Sequence, residues 1–140
     1  MADIRAVGWA KAFPVSGGVE AGRRWARNHL ASLEWTKEAS ETVDDVILTV
    51  SELITNAHVH AHSTAQLVLA WDNRCLNVYV SDSGPGTPMP QETDTTTPSG
   101  RGLTIVDAVA DELHMCSSRH GKAVSACFYP PGHPNPHGTP

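Results

Sequence analysis

The sequence predicts a single α/β domain. Three observations carry that expectation. Three stretches show the 3.6-residue apolar period of amphipathic helices. Two pairs of short apolar runs are each joined by a polar turn, as in hairpins. The chain has 140 residues, the length of one domain, with 40% hydrophobic residues and no internal repeat. Ten Lys+Arg against fifteen Asp+Glu leave a net charge of −5, which argues against a direct grip on nucleic acid, since that needs a basic face. No run approaches the roughly eighteen apolar residues of a membrane span, and MADIRAVGWAKAF lacks the apolar core of a signal peptide. The three cysteines, Cys75, Cys116 and Cys127, have no CxxC spacing. They read as reduced thiols on half-buried strands of a cytoplasmic protein.

The elements follow in order along the chain. Trp9 to Phe13 is an apolar patch read as an edge strand, broken by Pro14-Val15-Ser16-Gly17-Gly18. Val19, Gly22, Ala26, Leu30 and Leu33 then recur at three or four residues and mark a first helix, whose outer face carries Arg23, Arg24 and Arg27. Such a charge run most simply forms a solvated face. A second helix starts near Ser40 or Thr42, with Asp44 and Asp45 in the first turn where the helix dipole favours acids, and runs to about His62. Its core stripe is Val43, Ile47, Val50, Ile54 and Ala57, and Glu52, Asn56 and His60 fall together on a separate polar face. Ala65 to Trp71, the turn Asp72-Asn73-Arg74 and Cys75 to Val80 read as a hairpin. Thr87 to Ser99 is a polar loop long enough to be functional or disordered. Helical periodicity resumes at Gly100-Arg101-Gly102 with Leu103, Val106, Val109, Ala110 and Leu113 on one face. Strands from Leu113 to Ser117 and Ala123 to Tyr129 close the domain, with Arg119 to Lys122 as the turn. The domain is thus expected over residues 1–129, followed by a disordered Pro/Gly-rich tail over 130–140.

The polar groups in this order suit a nucleotide. An Asp at a strand end, Asp82, can accept a hydrogen bond from an exocyclic amine such as adenine N6. Gly84 and Gly86 behind it let a flat ring approach the backbone. Gly100 and Gly102 at a helix start expose N–H groups to phosphate. Asn56 offers a neutral oxygen to Mg²⁺, and Glu52, one turn earlier, can take a proton from an attacking hydroxyl. There is no GxxxxGK[ST] and no complete dinucleotide fingerprint, which excludes P-loop and Rossmann sites. His58, His60 and His62 suggest a transition metal, with His58 and His62 four apart on the second helix, but no carboxylate or cysteine obviously joins them.

Three segments in combination, ELITNAHVHA (Glu52–Ala61), DSGPG (Asp82–Gly86) and SGRGLTIV (Ser99–Val106), resemble the N, G1 and G2 boxes of the GHKL ATPase superfamily. Within it the chain is similar to the single-domain RsbW-like anti-sigma-factor serine kinases of actinobacteria, over about Phe13 to Phe128. The resemblance implies a Bergerat α/β two-layer sandwich, a mixed and mostly antiparallel sheet packed on three helices. It implies ATP and Mg²⁺ as ligands and phosphorylation of a serine on an anti-anti-sigma partner, sequestration of a sigma factor, or both. Homodimers are common in such families. By matching position, Glu52 is the catalytic base and Asn56 the Mg²⁺ ligand. His60 is the histidine of the N box, Asp82 the adenine reader with Gly84 and Gly86 around it, and Gly100, Arg101, Gly102 and Leu103 hold the phosphates.

Two departures stand out. Ala123 follows Gly121-Lys122 where the family often has a threonine supporting the adenine site, with Ser125 as a substitute only if it faces the same way. The lid reads Pro98-Ser99-Gly100 instead of carrying a doubled glycine. They leave an alternative to the kinase, a nucleotide-gated protein-binding module without phosphoryl transfer. A stand-alone histidine-kinase catalytic fragment and a scaffold with a dead site are further readings. Phosphate transfer with a Glu52→Ala control separates kinase from binder, and absence of nucleotide binding marks the scaffold.

Overall fold

The computed structural model describes residues 7–61, 64–82, 98–118 and 121–132. Five strands and three helices follow in the order β1 (Val7–Phe13), α1 (Gly18–Leu30), α2 (Ser40–Ala61), β2 (Ala65–Trp71), β3 (Leu76–Asp82), α3 (Pro98–Val109), β4 (Glu112–Ser118) and β5 (Gly121–Phe128), with a 3₁₀ turn at Glu34–Glu38 between α1 and α2. The strands form one sheet in the order β1-β2-β3-β5-β4. The sheet, expected to be mixed and mostly antiparallel, is antiparallel at every described pairing.

Alternation along the strands puts one sheet face under the helices. Leu67 and Leu69 of β2 stand opposite Val80 and Val78 of β3, which in turn stand opposite Val124 and Ala126 of β5. All six are buried in one core with Val46, Ile47, Val50, Leu53, Ile54 and Ala57 of α2. The second helix is therefore central: α1 packs on one flank and α3 on the other, with β3 beneath. Its predicted stripe holds, broadened by Val46 and Leu53, while Val43 is only partly buried.

The first helix approaches α2 closely because Gly22 has no side chain. A Cβ built there would lie 2.5 Å from Ile54 Cδ1. Its arginines do more than solvate a face. Arg23 Nη1 donates to Ser51 Oγ at 3.2 Å and Arg27 Nη1 lies 3.9 Å from Asp44, so two of the three reach α2. Arg24 pairs with Glu20 at 3.6 Å on the exposed side. The chain then turns through the 3₁₀ segment, where Thr36 Oγ1 is 2.6 Å from the Leu30 carbonyl and 2.7 Å from that of Leu33. The hydroxyl ties the 3₁₀ segment to Leu30, the last residue of α1, and to Leu33 at its own entry.

The β2–β3 turn is capped by Asp72, whose Oδ1 accepts from the backbone N–H of Arg74 and of Cys75, both at 2.9 Å. Asn73 takes φ 73°, the left-handed conformation that Asn tolerates. Burial acts to raise the Asp72 carboxyl, but the amides of Cys75 and Arg74 and the Arg74 charge outweigh it, and the net shift is downward.

Two boundaries depart from the sequence reading. The third helix begins at Pro98, not Gly100, and proline suits a first helical position because its missing N–H has no helical partner there. The last strand begins at Gly121, not Ala123, and pairs back to Ser118, so only residues 119 and 120 connect β4 to β5. Of the tail expected over 130–140, residues 133–140 lie outside the described residues, and Pro130 is buried. Cys75 and Cys127 are buried and Cys116 exposed, all three as free thiols, and burial pushes the Cys75 and Cys127 thiols up. Among the described residues no helix is long and apolar enough to cross a membrane.

Candidate nucleotide site

The polar face of α2 and the end of β3 meet at one recess. Along β3, Leu76, Val78 and Val80 point to the helices, and the same alternation carries Asp82 to that face at the strand's last position. On α2, Asn56 lies one position before Ala57 of the core stripe and turns toward the same place. Leu53, Ala57, Val80 and Val124 give the recess apolar walls, and Asn56, Asp82 and Lys122 are its polar groups. The described part of the recess is small and partly open to solvent, a cavity of about 10 Å³. The segment 83–97, which joins β3 to α3 and contains Gly84 and Gly86, lies outside the described residues.

Asn56 is the most informative side chain here. It is only 4% exposed, and neither its Oδ1 nor its Nδ2 has a hydrogen-bond partner among the described residues. A buried amide left unpaired costs about 1–3 kcal/mol, so native proteins rarely keep one without a reason. A neutral amide oxygen is also the kind of ligand that a hard, partly hydrated Mg²⁺ accepts. The residues present therefore fit the ion that the sequence reading placed at Asn56.

Asp82 is half-buried, and its Oδ1 receives the backbone N–H of Lys122 at 3.4 Å. Glu52 stands one turn before Asn56, half-buried and beside the recess, not in its lining. Glu52 and Asn56 thus share a face as expected, and that face meets Asp82. His60 belongs to α2, with its side chain outside the described residues. Gly100, Arg101 and Gly102 lie within the first five residues of α3, and Leu103 is half-buried against the core. A helix start of this kind leaves its first N–H groups without helical partners.

The neighbouring histidine has a different task. His58 is buried, and its Nε2 lies 3.1 Å from the carbonyl oxygen of Phe13, tying α2 to the end of β1. Gly18 gives it room, since a Cβ there would stand 3.0 Å from His58 Cε1. His62 lies outside the described residues, and among the described residues no three His, Cys, Asp or Glu groups gather as a metal site.

The residue that the sequence reading missed is Lys122. The sequence alone suggests a turn through Lys122 and a strand from Ala123, with Ala123 or Ser125 at the threonine position of the resembling family. In β5, Ala123 pairs with Ser81 and Ser125 with Tyr79, all on the sheet face turned away from the helices. Ser125 therefore cannot support the recess. Lys122 shares the inner face with Val124 and does line it. The signal was available in the alternation Lys122, Val124, Ala126, Phe128, once the strand is started at Gly121.

A search of curated proteins finds no match for the chain. The model of one protein family, described as the histidine kinase-like ATPase domain, matches residues 17–128, a span that contains all three boxes and the recess. The fold agrees with that match, and the chain belongs to the histidine kinase-like ATPase domain family.

Proposed function

We propose that this ATPase-family domain is an ATP- and Mg²⁺-dependent protein-serine kinase of the anti-sigma-factor type. In this reading it phosphorylates a serine of an anti-anti-sigma partner and so controls the availability of a sigma factor. The observation that supports it most is Asn56, a buried amide with two unpaired polar atoms, set in one recess with Asp82. Asp82 accepts from the exocyclic amine of the base. Asn56 holds Mg²⁺ through its amide oxygen, and the ion, when bound, neutralises charge on the phosphates. The N–H groups at the start of α3 receive phosphate oxygens.

Glu52 accounts for transfer. It is exposed enough to meet a hydroxyl arriving from outside and lies one helical turn from Asn56. Its carboxylate takes the proton as the serine oxygen bonds to the γ-phosphorus, while the bond from that phosphorus to the β,γ-bridging oxygen breaks and ADP leaves. Positioning and charge neutralisation do most of the work in such transfers.

The test is a labelled-phosphate assay with the candidate partner, comparing wild type with Glu52→Ala. The reading expects a loss of about 10²-fold or more in transfer, the usual scale for a general base, with ATP affinity kept. Wild-type nucleotide binding with no phosphate reaching any partner serine supports a nucleotide-gated binder instead.

A further inference from the structure

Among the described residues the recess is lined by three polar ones, and the proposed function uses two. The third, Lys122, is placed by strand register at the Asp82 end. It stands opposite Ser117 of β4, on the face that carries Val124, and its own N–H is the one that reaches Asp82 Oδ1 at 3.4 Å. A carboxylate only accepts hydrogen bonds, whereas a lysine ammonium only donates, with three protons on a flexible stem. As lining residues of one recess, Asp82 supplies an acceptor and Lys122 a donor. An aminopurine offers the complement on adjacent atoms: an exocyclic N–H donor and, next to it, the unprotonated ring nitrogen N1.

Resting on the nucleotide reading above, we propose that Lys122 is a second reader of the base, its ammonium donating to adenine N1 while the exocyclic amine donates to Asp82. The apolar walls given by Leu53, Ala57, Val80 and Val124 suit the faces and edges of a flat ring. The role belongs to this chain's lysine, because its site-facing position follows from the start of β5 at Gly121.

The test is calorimetric titration, in Mg²⁺, of wild type and Lys122→Met with ADP and with the ADP analogue carrying C–H in place of N1. Wild type should prefer ADP by about tenfold or more, the scale of one hydrogen bond from a charged donor. Lys122→Met should bind both compounds equally, at the wild-type level for the analogue. Methionine keeps the stem length, and Lys122→Thr serves as a second variant judged by the same ratio. A variant that retains the wild-type preference for ADP overturns the proposal. If both its affinities fall together, the lysine acts on phosphate; if neither falls, it is outside the site. A wild type indifferent to N1 overturns it as well. A wild type that binds neither compound overturns the nucleotide reading itself.

Discussion

The backbone N–H of Lys122 and the carboxylate of Asp82 lie 3.4 Å apart across neighbouring strands, although 39 residues separate them along the chain. That relationship organises the site. It fixes the end of β3 against the start of β5, and strand alternation then turns both side chains toward α2, where Asn56 completes the polar set.

Asn56 should make the empty protein less stable than it could be. Asn56→Leu removes two buried unpaired polar atoms at similar volume and should stabilise the nucleotide-free fold by about 1–2 kcal/mol. The same variant should lose the gain in melting temperature that Mg²⁺ and ATP give the wild type. Thr49 is its control. Its hydroxyl is also buried and unpaired, so Thr49→Val should stabilise by about 1 kcal/mol while the response to nucleotide stays. Thermal melts with and without Mg²⁺ and ATP check both.

Gly22→Ala should destabilise, although alanine is the better helix former. The new Cβ meets Ile54 Cδ1 at 2.5 Å in a core where Ile54 is fully buried. Overpacking costs about 1–3 kcal/mol against a propensity gain of up to about 1 kcal/mol, so a net loss is expected in denaturant unfolding. Ile54→Val removes the methyl group in question. In that background Gly22→Ala should become neutral or stabilising.

The Asp72 turn should give a pH-dependent contribution. With its carboxyl held below the ordinary value of 3.8, folding gains the full benefit above that value and loses it as pH falls through the lower folded-state value. Asp72→Ala should therefore cost about 1 kcal/mol at neutral pH, reduced from the two-bond sum because the residue is exposed. The difference from wild type should shrink at and below pH 3.8. Urea unfolding of both proteins at neutral and acid pH measures it.

Much of this was legible in the residues. The long period of α2 announced both its core stripe and the Glu52–Asn56 face, because a 22-residue helix repeats its pattern six times. The β2–β3 hairpin was equally clear from two alternating runs around Asp72-Asn73-Arg74. What escaped was set by pairing and packing. Composition alone makes Arg119 to Lys122 look like a four-residue turn, whereas the ladder continues to Ser118 and Gly121 and turns Lys122 into a strand residue. The burial of His58 depends on where β1 ends, 45 residues earlier, which no local pattern records. The 3₁₀ turn has no apolar period to betray it, and its anchor is a Thr36 hydroxyl at the carbonyls of Leu30, the last residue of α1, and Leu33.

The central claim is that Asp82 and Asn56 form a nucleotide site, and calorimetric titration with ATP and Mg²⁺ tests it most directly on wild type beside Asp82→Asn. The account predicts binding by wild type and a loss of at least about tenfold in the variant, the scale of one hydrogen bond to a charged group. Equal affinity in the two proteins would contradict the role given to Asp82. No binding by either would mean that the domain has kept the family's shape without its ligand.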